Sequence, residues 1–301
     1  MGYEFVALSL PPMVIGTLAA MACALPGNFL LLRRQALIGD AISHVVLPGI
    51  VVAFLITGTV TTAPMMLGAA GAAMLSVLLI EAIRRFGRVE PGAAMGVVFT
   101  AMFAGGVLLL EQSDTSSVHL DVEHALYGNL ESLIWLDALG WESLADPTAL
   151  ALLPPELLRM AVTFAGLALA TAVFWRPMKL STFDESFARS LGLPTTAIGL
   201  GIVAMAALAA VAAFDAVGSI IVIAMFICPP ATARLMTNRL EHQILWSLGF
   251  AALSAVLGYV IAGYGPLWIG AAASVSAAGM IATISGLFLG IAALIAPHRR
   301  A

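Results

Sequence analysis

The chain contains nine apolar runs, at about 12–32, 41–58, 64–83, 93–110, 157–175, 195–213, 217–235, 244–263 and 268–295. A bilayer core about 30 Å thick takes roughly 20 apolar residues per helix, so each run is long enough to span it. Pro64, Pro91-Gly92, Pro194 and Gly265-Pro266 punctuate the ends, and only the 111–156 connection is long. Composition agrees: 61% of the 301 residues are apolar and 10% charged. Soluble domains are near a quarter charged, so this chain cannot cover itself for water. With a net charge of −4 it has no basic surplus for nucleic acid. Disorder and a collagen-like fibre are excluded as well. Cys23 and Cys228 both sit inside apolar runs and make neither a disulfide framework nor a zinc knuckle. The expected fold is an all-α polytopic membrane protein, one transmembrane domain over 1–301.

Orientation follows from the basic residues. Met1-Gly2-Tyr3-Glu4 has no basic n-region and the first run is long enough to span, so no cleavable signal peptide is expected. Arg33, Arg34, Arg84, Arg85, Arg88, Arg176, Lys179, Arg189, Arg234, Arg239, Arg299 and Arg300 share one side if the amino terminus is outside. That is 12 of 13 basic residues, with Arg159 opposite; an even number of spans would break the pattern. The positive-inside rule therefore predicts an outside amino terminus and an inside carboxyl terminus. The 111–156 connection is then external and acidic, carrying Glu111, Asp114, Asp121, Glu123, Glu131, Asp137, Glu142 and Asp146 without a Lys or Arg. It reads either as a solvated loop partly folded into surface helices or as a negative field facing a cation or a basic partner.

Charges inside spans cost about 2.5–3.5 kcal/mol at a helix centre and default to functional candidates. Glu81, one helical turn from Arg84 and Arg85, reads as a helix-end ion pair. Asp40 and His44 open the second span four residues apart, which places carboxylate and imidazole on one helix face. One oxygen and one nitrogen donor suit Zn²⁺, Mn²⁺ or Fe²⁺. Two donors are too few for a closed structural site, a deficiency that suits a passing ion. Pro48 removes one backbone bond and can free a carbonyl nearby. The other reading makes Asp40 a helix cap and His44 a packed core residue. Asp215, between the sixth and seventh runs, is either an acid at the mouth of a pathway or an N-cap. His119, Asp121, Glu123 and His124 form a third cluster, in the external connection, where metal capture competes with simple solvation. The 14 Met residues are scattered as core packing. There is no Gly-x-x-x-x-Gly-Lys-Ser/Thr loop, His-Glu-x-x-His or Gly-x-Ser-x-Gly, so the chain is neither its own ATPase nor a visible protease or lipase.

Gly39-Asp40-Ala41-x-Ser43-His44-x-x-Leu47-Pro48-Gly49, preceded by Arg33-Arg34, resembles the signature of the zinc/manganese/iron family of ABC-transporter permeases. The run from Ser181 through Asp184, Glu185, Ala188 and Gly192 to Pro194 agrees, as does that from Asp215 through Gly218, Pro229, Pro230 and Thr232 to Arg234. Tyr127-Gly128-Asn129 is similar to a short family motif that usually reads Leu-Phe-Gly. The resemblance implies the fold of the cobalamin and siderophore importer permeases, with the first of their ten spans lacking here. It implies a non-catalytic subunit in a bacterial-type plasma membrane. The partners would be a second permease subunit, two cytoplasmic ABC ATPase subunits and an external metal-binding protein. No resident cofactor is implied; the transported divalent ion is a transient ligand.

Carried onto this sequence, the resemblance makes Asp40 and His44 transient metal ligands, with Asp215 a further candidate. It makes 176–194 a cytoplasmic coupling segment, with Asp184, Glu185, Phe187 and Leu191 meeting the ATPase. Phe183, Phe187 and Leu191, four apart, would share one face of a single helix over 181–193. Pro48, Pro229 and Pro230 would mark helix breaks at the gate. The acid at 215 favours the manganese/iron branch, and the 111–156 connection looks longer than the family's. The competing function is a proton-coupled secondary transporter using Asp40, His44 and Asp215. It would show internal repeats, and the Asp-x-x-x-His pattern does not recur in the second half. A non-transporting scaffold would leave Asp40 and His44 as an unexplained cost.

Overall fold

The computed structural model describes residues 4–58, 62–112, 130–138, 140–268, 270 and 275–296. Among the described residues there is no strand, and nine helical segments are long and apolar enough to cross a bilayer. A π-helical turn at Phe5–Ser9 leads into α1 (Leu10–Leu32), followed by α2 (Leu37–Thr57), α3 (Thr62–Gly87) and α4 (Pro91–Gln112). Short turns at Leu130–Ser132, Trp141–Ala145 and Pro147–Leu150 precede α5 (Pro155–Val173). Then come α6 (Trp175–Phe183), α7 (Glu185–Ser190), α8 (Thr195–Met236), α9 (Leu240–Trp268) and α10 (Ala277–Ile295).

Two ends differ from the sequence reading. The first span begins at Phe5 rather than near 12: the chain stays helical across Pro11 and Pro12, and the Ala7 and Leu8 carbonyls that lose a helical donor accept instead from the Trp135 N–H at 2.8 Å and the Tyr259 hydroxyl at 3.3 Å. The apolar run at 268–295 does not form one helix: α9 continues through Pro266 to Trp268, and α10 starts at Ala277. Pro266 cannot donate to the Ala262 carbonyl, and the Val275 N–H takes that acceptor at 3.4 Å. Gly270, at φ 74°, supplies the left-handed residue that begins the turn.

The 42-residue α8 is the hub of the bundle. It packs most extensively on α1 and joins α5, α9 and α10 to a second group formed by α2, α3 and α4. Its two span-length limbs, Thr195–Phe214 and Ala216–Met236, meet at a break where Gly218 takes φ 74° and ψ 172°. Ala213, Ala216 and Val217 are fully buried and Ile221 almost so. Backbone that leaves the helix needs its polar groups shielded or satisfied, and here neighbouring protein covers it. The sequence reading placed helix breaks at Pro48 and at Pro229-Pro230. The structure corrects this: α2 and α8 run helically through those prolines, and the non-helical residue is Gly218. The prolines remove hydrogen bonds without ending the helix; only a residue free of Cβ takes the Gly218 conformation readily.

Helices in hydrocarbon associate through small residues and buried polar contacts rather than through a hydrophobic drive. An ideal Cβ on Gly27 would lie 2.5 Å from the Phe226 carbonyl oxygen, and one on Gly258 would lie 2.5 Å from Ile281 Cα. Asn28 joins α1 to α9: its amide donates to Ser247 Oγ at 2.8 Å and accepts from Gln243 Nε2 at 3.1 Å, all three residues being fully buried.

Gly27→Ala is therefore expected to destabilise the bundle by about 1–3 kcal/mol, since a backbone carbonyl cannot yield. Gly71→Ala, where an added Cβ meets nothing within 4 Å, should hold or raise stability. Thermal denaturation of the two purified variants in detergent checks the contrast; equal melting temperatures would refute the close α1–α8 approach.

Candidate metal pathway

The glycines and proline of the α2 motif are packing residues. A Cβ on Gly39 would lie 2.7 Å from the Phe226 ring, and one on Gly49 would lie 2.5 Å from the Gly68 carbonyl of α3. A Cβ on Gly106 of α4 would meet Pro48 at 2.5 Å, so Pro48 is seated against α4 instead of opening the helix. These three contacts fix α2 against α8, α3 and α4, and between them lie the chemical residues.

Because α2 starts at Leu37, Asp40 lies inside its first turn and is not its N-cap, which is Ala36. There the carboxylate is favoured by the helix N-terminus. His44 Nε2 lies 3.4 Å from Asp40 Oδ1, and their side chains are 34% and 31% exposed. The imidazole stacks on Phe99 (5.4 Å between centroids, 26° between planes) and meets Phe103 edge-on at 5.8 Å, both on α4. His44 is thus held by two rings on one side and left open on another. Phe99 and Phe103 escaped the sequence reading; their i, i+4 spacing was the available signal. Among the described residues no group of three or more His, Cys, Asp or Glu could hold a metal. The pair offers one oxygen and one nitrogen donor, fewer than a closed metal site uses. Asp215 stands three residues before the Gly218 break in helical backbone; its side chain lies outside the described residues, as do Ser43 and Leu47. His119, Asp121, Glu123, His124, Tyr127, Gly128 and Asn129 also lie outside them.

The 176–194 stretch is not one helix. Asp184 takes φ −145° and ψ 92°, ends α6 and caps α7 by accepting from the Phe187 N–H at 2.8 Å. Glu185 pairs with Arg189 at 2.8 Å one turn on. The C-terminus closes as a Schellman motif: Gly192 sits at φ 79° and the Leu193 N–H reaches the Ala188 carbonyl at 3.1 Å. Phe183 therefore belongs to α6 and Leu191 to the C-cap of α7, which corrects the single face expected for 181–193. All the same, Phe183, Phe187 and Leu191 are each at least half exposed. Lys179 of α6 pairs with Glu241 at the start of α9, and Glu81 pairs with Arg84 at 3.2 Å.

At the other end, part of the acidic connection is tied down. Trp135 is buried, with its N–H on the Ala7 carbonyl at 2.8 Å and its indole donating to the Ala149 carbonyl at 3.1 Å. Glu131 accepts from the Ala277 N–H at 2.7 Å, anchoring the first turn of α10. Asp146 caps the Pro147–Leu150 turn, and hydrogen bonds from the Thr148 hydroxyl and N–H hold its carboxyl below the usual range. Both acids hold backbone N–H groups at helix starts, Glu111 lies within α4, and the described part of the connection carries three short helical turns. The guanidinium of Arg159 meets Met66 Sδ at 3.6 Å, placing the starts of α5 and α3 at one end.

The sequence matches the ABC 3 transport family over residues 5–138 and 148–295. It is 38% identical over 282 residues to the manganese transport system membrane protein MntD of Bacillus subtilis, covering 94% of this chain and 90% of that one. It is 34% identical over 290 residues to the zinc transport system membrane protein TroD of Treponema pallidum, covering 96% and 74%. The fold is similar to that in the structure of PsaBC from Streptococcus pneumoniae in complex with Fab, with a TM-score of 0.75, 26% identity and coverage of 97% and 92%. With the match running nearly end to end, and nine helical segments among the described residues long and apolar enough to cross a bilayer, the chain belongs to the ABC 3 transport family.

Proposed function

We propose that this chain is the membrane permease subunit of an ATP-driven importer for divalent transition-metal ions, with manganese the favoured cargo. The observation that carries the reading is the Asp40–His44 pair, one turn apart and about one-third exposed within a membrane span. An oxygen–nitrogen donor pair of this kind fits manganese, zinc or iron. The manganese and zinc relatives support the same cargo class. ATP hydrolysis then falls to separate ATPase subunits, since the chain has no phosphate-binding loop. In this reading the arginine-rich end faces the cytoplasm under the positive-inside rule. The ATPase dimer docks on the exposed Phe187 and Leu191, an external metal-binding protein docks at the opposite end, and a second permease subunit completes the pathway.

The proposal predicts that deleting the gene lowers one cellular metal selectively under limitation, and that only wild-type chain restores it. His44→Ala should reduce uptake about tenfold or more. Because His44 fills the space beside Phe99 and Phe103, His44→Gln is the companion variant that keeps volume while removing the imidazole. Elemental mass spectrometry of the cells reads both. A rise in the metal would mean export, and uptake driven by a proton gradient without ATP would favour the secondary transporter.

Phe187→Ala and Leu191→Ala should weaken ATPase copurification and permease-stimulated ATP turnover without unfolding the chain, since both side chains are at least half exposed. Asp184→Asn should be silent in the same assay because asparagine keeps the cap. Unchanged copurification and turnover in Phe187→Ala would refute the docking assignment.

A further inference from the structure

Three distant segments converge on one guanidinium at the arginine-rich end. Arg33 closes α1, and Arg34 beside it takes φ 58°, a costly conformation away from glycine, to turn the chain into α2. Arg33 Nη1 donates to the Ser181 carbonyl of α6 at 3.3 Å and lies 3.5 Å from Ser181 Oγ. On its other side an ideal Cβ on Gly199, in α8, would lie 2.7 Å from Nη2, so a bare backbone admits the guanidinium there. Glu185 of α7 accepts from Thr195 at 3.3 Å and so ties the same segment to the start of α8.

The surroundings of Arg33 leave part of its hydrogen-bonding capacity unmet. Its Nε and the Oε1 of Gln35 are buried without hydrogen-bond partners, and both residues line a cleft of about 130 Å³ with Glu81, Arg84, Glu185 and Thr195. Burial lowers the pKa of Arg33 from its ordinary value; Glu185 opposes that shift and Arg84 adds to it. Arginine nevertheless stays charged, so a half-satisfied cation is retained beside acceptors it can exchange between.

We propose that Arg33 is a positioning residue that transmits movement of the α6–α7 segment to α2, and so to Asp40 and His44. This rests on reading α6–α7 as the ATPase docking segment. Displacement of α6 pulls on the guanidinium through Ser181, while the free Nε and the cleft give it a second set of partners. Two discrete arrangements of this kind are what coupling between distant sites requires. The chain from Arg33 to Leu37 is short, and Gly39 seats the start of α2 against Phe226, so a shift at Arg33 moves the first turn of α2 rather than dissipating in a loop.

The test uses the whole importer complex in liposomes with Mn²⁺ as the probe, measuring manganese moved per ATP hydrolysed. Arg33→Gln removes the charge, whereas Gly199→Ala keeps Arg33 and crowds its guanidinium. Both are expected to lower manganese per ATP about tenfold while ATPase copurification and ATP turnover hold. Arg33→Lys, which keeps charge but not the forked donor, should fall between them and wild type. A wild-type ratio in Arg33→Gln and Gly199→Ala overturns the proposal. So does loss of the chain from the membrane or of ATPase copurification in both, which would make Arg33 a folding or docking residue. The docking reading fails separately, if Phe187→Ala leaves copurification and turnover unchanged.

Discussion

The bundle turns on the contact of Phe226 with two glycines. Its ring rests on Gly39 of α2 and its carbonyl oxygen on Gly27 of α1. Pro230 lies four residues on and has no N–H to offer that carbonyl, so the oxygen is available to the Gly27 face of α1 as a weak Cα–H acceptor. A proline that would elsewhere end a helix here serves a close approach between two. The arrangement joins α8 to both halves of the bundle and fixes where α2 begins. Since Asp40 follows Gly39 directly, the carboxylate is placed by a packing contact made one residue earlier.

This division of labour explains why some of the molecule was legible in the sequence and some was not. The spans follow from length and apolarity, which act locally, and the nine among the described residues lie near the expected runs, apart from the earlier start at Phe5 and the later start at Ala277. The Asp40–His44 spacing was legible because a helix fixes which residues share a face, and the two side chains do meet. The break in α8 falls where the sequence reading separates the sixth and seventh runs; the further break expected at Pro229-Pro230 does not occur, because the deciding φ is that of Gly218, one glycine among 28. The division between α6 and α7 was missed for a related reason. Phe183, Phe187 and Leu191 keep helical spacing, but Asp184 between them gains more as a cap than as a helix interior residue. Phe99 and Phe103 were invisible as partners of His44 because nothing local says that α4 lies beside α2.

The two ends of the bundle spend their charges differently. At the arginine-rich end, Lys179–Glu241, Glu185–Arg189 and Glu81–Arg84 are cross-element or helix-turn pairs at exposed positions, each worth little in stability. They leave the segment between α5 and α8 a body of short capped helices on a soft electrostatic footing, suited to being moved. At the opposite end Glu131 and Asp146 satisfy helix N-termini, and the buried Trp135 packs the connection onto the start of α1. Ionised acids and a buried indole thus tie the described part of the connection to the starts of α1 and α10.

The exposure of Asp40 and His44 carries the last inference. A carboxylate open to lipid costs about 2.5–3.5 kcal/mol at a helix centre on insertion scales and less near a helix end; Asp40, in the first turn of α2 with about a third of its side chain open, still carries part of that cost. The face holding the pair therefore needs a cover of protein or a column of water, and the proposed second permease subunit supplies the first while the pathway between subunits supplies the second. Among the described residues the pair supplies two donors, and the aromatic pair holds the imidazole from one side alone. Passage requires binding strong enough to admit the ion and weak enough to release it. In the proposed role, a two-donor pair open on one face would meet both conditions, whereas a full set of ligands would store the ion instead of passing it on.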